Sequence, residues 1–257
     1  MQLEIIPTLH LQRELLSQPR NMERFYNYLA TITGGHDDIE VPIVSLNPMG
    51  REHNVAKIDE LLAFDAEKVA AQVVEEANAR LVQIELSRRL SLVIVDNLGG
   101  LWSNRHLIEF SYCCPQKIPK KTVIKQGFYE VGLFVSEIWT AEALRQTLLR
   151  VAYRLAHMHV YGLPKTVQHV MRQEGRALRF AGAPLTFAPD EMEYSRHVLA
   201  PHREAADMPS MMAALFGDEA AHAFGYPPLG LSPRAGLEVA LAEALTEIQT
   251  PEASLNL

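Results

Sequence analysis

The sequence predicts an α+β fold: a mixed, partly antiparallel sheet of about four to five strands packed with helices, plus an all-helical C-terminal appendage. Three observations carry that expectation. Short apolar, β-branched runs alternate with helical periodicities up to about residue 184. Beyond Pro184 only helical patterns remain. The link between the runs 90–95 and 107–113 is short enough for an antiparallel return. The chain is therefore read as a mixed core over 1–184 and a helical part over 185–257, or as one continuous domain.

The elements follow in order. Asn21 can cap a helix over 22–32, and Gly34-Gly35 stops it. The run 40–46 (EVPIVSL) reads as a strand, with Pro42 at its start or on an edge. Asn47-Pro48-Met49-Gly50 is turn chemistry. Asn54 and Asp65 can cap helices over 55–63 and 66–81. Within them Ile58, Leu62, Ala66, Val69, Val73 and Ala77 form one apolar stripe. Residues 90–95 (LSLVIV) read as a central strand, and 107–113 and 128–135 as two more. Thr140 caps a long helix over 141–161, which Gly162 and Pro164 end. Thr166 caps 167–181, ended by Gly182. Asp190, Asp207 and Asp218 open further helices, and Ser232-Pro233 opens the last, over 234–248.

Composition limits the function. The 257 residues carry a formal net charge of −7, which argues against general nucleic-acid binding, since that needs phosphate neutralisation. Lys117, Lys120, Lys121 and Lys125 are a local exception, read as a solvated connecting loop. No run approaches the roughly 18 apolar residues of a membrane span. The N-terminus has neither the basic start nor the long apolar centre of a signal peptide, so a cytoplasmic location is expected. Cys113 and Cys114 are adjacent, an arrangement too strained for a ready bridge, and read as free thiols.

Two loops concentrate polar chemistry at expected strand ends. The first, 47–54, carries Arg51 and His53 and opens a helix whose N–H groups favour an anion. The second, 96–106, carries Asn97, two glycines, Trp102, Asn104, Arg105 and His106. Glycines permit close approach, tryptophan offers a stacking surface, and the other side chains offer donors. Ligands of open α/β sheets gather at such ends.

Glu174 stands out because it lies in the apolar stripe of Val167, Val170, Met171, Leu178 and Ala181. A buried carboxylate must be paired or must raise its pKa. It is either a general acid or base, or the partner of an arginine such as Arg150 or Arg154. Gly175 beside it weakens a helix and suggests close approach by backbone or ligand. Arg150, Tyr153, Arg154, His157 and Tyr161 recur at steps of three and four, a stripe able to hold a carboxylate or phosphate. His157 and His159 sit about 200° apart on a helix and cannot share a metal.

The expected activity is binding of a small anionic or polar metabolite in a cleft between loops 47–54 and 96–106, floored by Glu174. If chemistry follows, Glu174 is acid or base with His53 or His106 as partner. Arg51, Asn97, Trp102, Asn104, Arg105, Arg154 and His157 would hold the ligand. No motif names a cofactor. One alternative is a non-enzymatic interaction or assembly protein, joined to a copy of itself or to another protein through the methionine-rich helix 208–216. Another is a metal-dependent hydrolase with ligands scattered over His36, Asp37, Asp38, His53, Asp96 and His106. The strand, loop and helix ending RLAHMHVYG resembles the layout of zinc metalloproteases, but no HExxH is present. That resemblance implies a related scaffold without that catalysis.

Overall fold

A computed structural model describes residues 1–34, 39–98, 104–117 and 127–255. Among them the sheet has three strands, β1 (Gln2–Ile6), β2 (Ser87–Val95) and β3 (Phe128–Phe134), in the order β1-β2-β3. Both pairings are parallel, with Gln2 opposite Ser87 and Leu90 opposite Tyr129. Helices dominate the rest. The expected mixed sheet of four to five strands is thus overturned, and the reasons are local.

The run 40–46 is not a strand because side chains on the sheet capture its backbone. Val44 and Ser45 donate their N–H groups to the Glu130 carboxylate, which also accepts from the Ser45 hydroxyl. The Pro42 carbonyl accepts from the Ser91 hydroxyl. Ser91 and Glu130 are neighbours across β2 and β3, so one sheet face holds 42–45 as irregular chain. The run 107–113 belongs to a helix, α5 (Arg105–Cys113), that buries Phe110, Ser111 and Cys113 at helical steps. With a helix in the link, β2 and β3 are joined by a crossover, as a parallel pair requires.

β1 escaped the sequence reading because five residues show too little periodicity. Asn78 steadies it, donating to Leu3 O at 2.9 Å and accepting from Leu3 N at 2.8 Å. Beyond Ile6 side chains continue the ladder of β2. The Leu92 carbonyl accepts from Gln12 Nε2 at 2.6 Å and Thr8 Oγ1 at 3.0 Å, and Ile94 N donates to Gln12 Oε1 at 3.0 Å. All of β3 and the last six residues of β2 are buried, as expected of a parallel sheet covered on both faces.

The chain forms two compact units, 1–108 with 120–148, and 109–119 with 149–257; residue 184 falls within the second. The first unit holds the sheet with α1 (Leu9–Ser17), α2 (Met22–Thr33), α3 (Glu52–Ala63) and α4 (Ala66–Arg80). The second holds the C-terminal part of α6 (Ala141–Tyr161) and α7 (Val167–Ala181), α8 (Pro189–Leu199), α9 (Met208–Phe216), α10 (Asp218–Ala223) and α11 (Ala235–Thr246).

Asn21, Thr140, Thr166 and Asp207 cap their helices as expected, each accepting from the N–H three residues on. Asn54 does not cap: it lies inside α3, and Arg51 holds the cap position. Asp190 lies one residue inside α8, behind Pro189. Asp218 begins α10, and its carboxylate accepts from the N–H groups of Leu229, Gly230 and Leu231. That fixes the end of the proline-rich connector.

Within the second unit, Met211, Met212, Leu215 and Phe216 of α9 are core residues packed with Phe110, Val170 and Met171. These methionines therefore have no exposed face to offer a partner. Cys113 ends α5, not a strand, Cys114 follows it, and both are buried. Burial foremost pushes the Cys113 thiol up to about 12 and Cys114 higher still, so neither forms a thiolate readily.

Candidate functional site

The polar constellation of the first unit grows from the end of its central strand. Asp96 follows β2, and its side chain is 1% exposed. Its Oδ1 accepts from His53 Nε2 at 3.0 Å and from Leu98 N at 3.2 Å. Its Oδ2 accepts from Asn54 Nδ2 at 3.0 Å and Asn47 Nδ2 at 3.1 Å. An ionised carboxylate offers no hydrogen, so with Asp96 in that form this bond uses a proton on His53 Nε2. The His53 side chain is 32% exposed, so the buried acid orients an imidazole that solvent and ligands can reach.

The turn before α3 makes this possible. Asn47 Oδ1 accepts from Met49 N at 2.9 Å, and Asn47 O accepts from Gly50 N at 2.9 Å. A side chain at Gly50 would place Cβ 2.7 Å from Asn54 Nδ2, so glycine leaves the space through which Asn54 reaches Asp96. The sequence pattern NPMG therefore encodes a turn and also seats an amide.

The end of β3 lies in the same unit. Asn97 Nδ2 donates to Ser136 Oγ at 2.7 Å, and Ser136 N donates to Asn97 Oδ1 at 3.2 Å, bracing the two strand ends. Arg105 pairs with the Glu137 carboxylate and lies 4.8 Å from the Phe134 ring centre. Lys57 Nζ donates to the Glu137 carbonyl at 3.0 Å. Asn104 caps α5, accepting from Leu107 N at 3.2 Å, and His106 sits half-buried in the first turn. Arg51 lines a hollow of about 820 Å³ with Arg20, Arg24 and Gly50. Trp102, His36, Asp37 and Asp38 lie outside the described residues. Among the described residues no three His, Cys, Asp or Glu side chains are grouped to hold a metal ion.

Glu174 belongs to the second unit, where its carboxylate is enclosed. Arg154 donates Nε to Oε1 at 2.6 Å and Nη2 to Oε2 at 2.7 Å. Arg150 donates Nε and Nη2 to Oε2 at 3.0 and 2.8 Å, and Gln173 donates to Oε1 at 3.1 Å. Burial alone would raise this carboxyl, but Arg154 and then Arg150 outweigh it and hold it well below the usual carboxylate range. A proton carrier needs a free lone pair, and these five donors take up both oxygens. Arg154 is therefore an ion-pair partner rather than a ligand-binding group.

The stripe on α6 divides accordingly. Tyr153 Oη bonds Pro251 O at 3.0 Å and Ser254 Oγ at 2.9 Å, and Tyr161 donates to Ser254 O. His157 is buried while His159 is exposed, as their angular separation requires.

Sequence reasoning missed two groups. Asn54 looked like a cap but serves Asp96. Glu130, the one charged residue in an otherwise apolar strand run, was the available sign of a buried polar contact. Comparison with protein-family models, with curated proteins and with solved structures finds no match to this chain.

Proposed function

We propose that the first unit binds a small polar or anionic metabolite at the carboxyl ends of β2 and β3, with His53 as the group that accepts a proton from it. The observation that carries this reading is the His53–Asp96 hydrogen bond of 3.0 Å between an accessible imidazole and a buried carboxylate. In acid–base catalysis a carboxylate fixes the imidazole tautomer and stabilises the imidazolium that forms. Nδ1 of His53 is then the basic atom. Lys57 and Arg105 flank Glu137, each paired with an acid (Lys57 with Glu60, Arg105 with Glu137), and the strand ends are where ligands of parallel sheets collect.

The test is a thermal-shift panel of small carboxylates, phosphates and neutral polyols against the wild type, His53→Gln and Asp96→Asn. At least one compound should raise the wild-type melting temperature and leave the His53→Gln variant unmoved. Asp96→Asn should lose about 1–3 kcal/mol of stability, because an amide cannot accept from all four donors. It should also weaken the ligand response. A panel with no stabilising compound, or one that shifts His53→Gln as much as the wild type, overturns the proposal.

A further inference from the structure

His157 is the outlying group of the second unit. It is 6% exposed, and neither ring nitrogen has a hydrogen-bond partner among the described residues. Buried polar atoms are almost always satisfied, and leaving one without a partner costs about 1–3 kcal/mol. The ring packs between Tyr153 and Tyr161, with centroids 6.2 and 4.7 Å away. It also lines a cavity of about 450 Å³ whose wall includes Tyr161, Lys165, His169, Arg172 and Arg176.

The charge of that wall is one-sided. Lys165, Arg172 and Arg176 bring three cations, and no aspartate or glutamate is among the lining residues. Arg176 is partly neutralised by Glu247 at 2.9 Å, from outside the cavity. Lys165 and Arg172 have no acidic partner among the described residues. The local sequence builds this. Gly162 and Pro164 end α6, Thr166 starts α7, and the short link brings the last turn of one helix to the first two turns of the next. His169 and Arg172, three residues apart on α7, and Arg176 four further on, then share one face.

From this we infer that the cavity is an anion site for a phosphate group, with Arg172 and Lys165 as its charged clamp and His157 as the buried donor at its back. A guanidinium fork matches phosphate oxygens, and a lysine adds a point charge. An imidazole whose two nitrogens are otherwise unpaired donates one N–H to a phosphate oxygen. The volume exceeds what a bare phosphate fills, which leaves room for a small organic body against Tyr161. The site is independent of His53 and stands whether or not that reading holds.

The test uses titration calorimetry of the full chain with inorganic phosphate and with glycerol 2-phosphate, at constant ionic strength against chloride. Saturable binding at millimolar concentration or below is expected. Lys165→Ala and Arg172→Ala change exposed side chains, so they should keep the circular dichroism spectrum and each weaken binding about tenfold. His157→Phe keeps a flat aromatic ring, slightly larger, removes both nitrogens, and should also weaken binding. A tighter monoester assigns the site to an esterified phosphate; equal affinities assign it to the free anion. Phosphate that binds no better than chloride overturns the inference, and so does unchanged affinity in both Arg172→Ala and His157→Phe.

Discussion

Glu174→Gln is expected to destabilise the second unit by about 3–5 kcal/mol, the range for removing one partner of a buried ion pair. Glu174 is fully buried and Arg154 is 4% exposed, so the substitution leaves a guanidinium with little access to water. Arg150 is better placed, at 19% exposure, and can turn outward. The geometry is two-sided: Arg154 contacts both carboxylate oxygens while Arg150 clasps one. The sign of the pH dependence follows. The folded carboxyl is held below its ordinary value of 4.5, so its contribution is complete above that pH and fades as the pH falls through the depressed folded value. Urea midpoints of wild type and Glu174→Gln should therefore differ by a constant amount between about pH 5 and 8 and converge in acid. Replacing the pair together, Glu174→Leu with Arg154→Met, should cost less than Glu174→Gln alone, because no buried charge is stranded. A Glu174→Gln variant within about 1 kcal/mol of the wild type would show that the arginines are solvated without it.

That pair was legible in the sequence, because an acid in an apolar helical stripe requires a cation and α6 supplies two at the right spacing. Long helices were legible for the same reason: periodicity and caps agreed over 141–161 and 167–181. The sheet was less so. The run 107–113 has aromatic and β-branched residues in near alternation, yet Asn104 and the helical spacing of Phe110 and Cys113 decide it. The run 40–46 has strand composition, but Glu130 and Ser91, distant in sequence, take its backbone groups. No local pattern contains that competition. The candidate site was legible by halves. Loops 47–54 and 96–98 do meet at Asp96, but the meeting depends on Asn54 and Asn47, which local reasoning assigned to a cap and a turn. Arg51 lines a hollow with Arg20 and Arg24, and Glu174, singled out as an acid in an apolar stripe, is enclosed by Arg150 and Arg154 in the second unit.

Gly175→Ala should destabilise the second unit by about 2 kcal/mol or more, against the ordinary gain from glycine to alanine inside a helix. That gain is about 1 kcal/mol. Here it is outweighed, because a Cβ at 175 would lie 2.2 Å from the carbonyl oxygen of Ala240 and 2.6 Å from its carbon. These are backbone atoms of α11, so no rotamer change relieves the overlap; α7 and α11 must separate, and overpacking of this kind costs about 1–3 kcal/mol or more. The same device recurs at Gly236, whose Cβ would sit 2.2 Å from the Ala214 carbonyl oxygen, so α11 is held close on two sides by absent side chains. Gly182→Ala is the control. Its added carbon meets nothing within 4 Å, but its φ of +74° is left-handed, so it should cost only about 1–2 kcal/mol. Adding Ala240→Gly to Gly175→Ala should restore less than half of the loss, because the obstacle is the Ala240 carbonyl group more than its methyl. Full rescue by Ala240→Gly would show instead that the contact is between side chains and that the two helices can accommodate a methyl group.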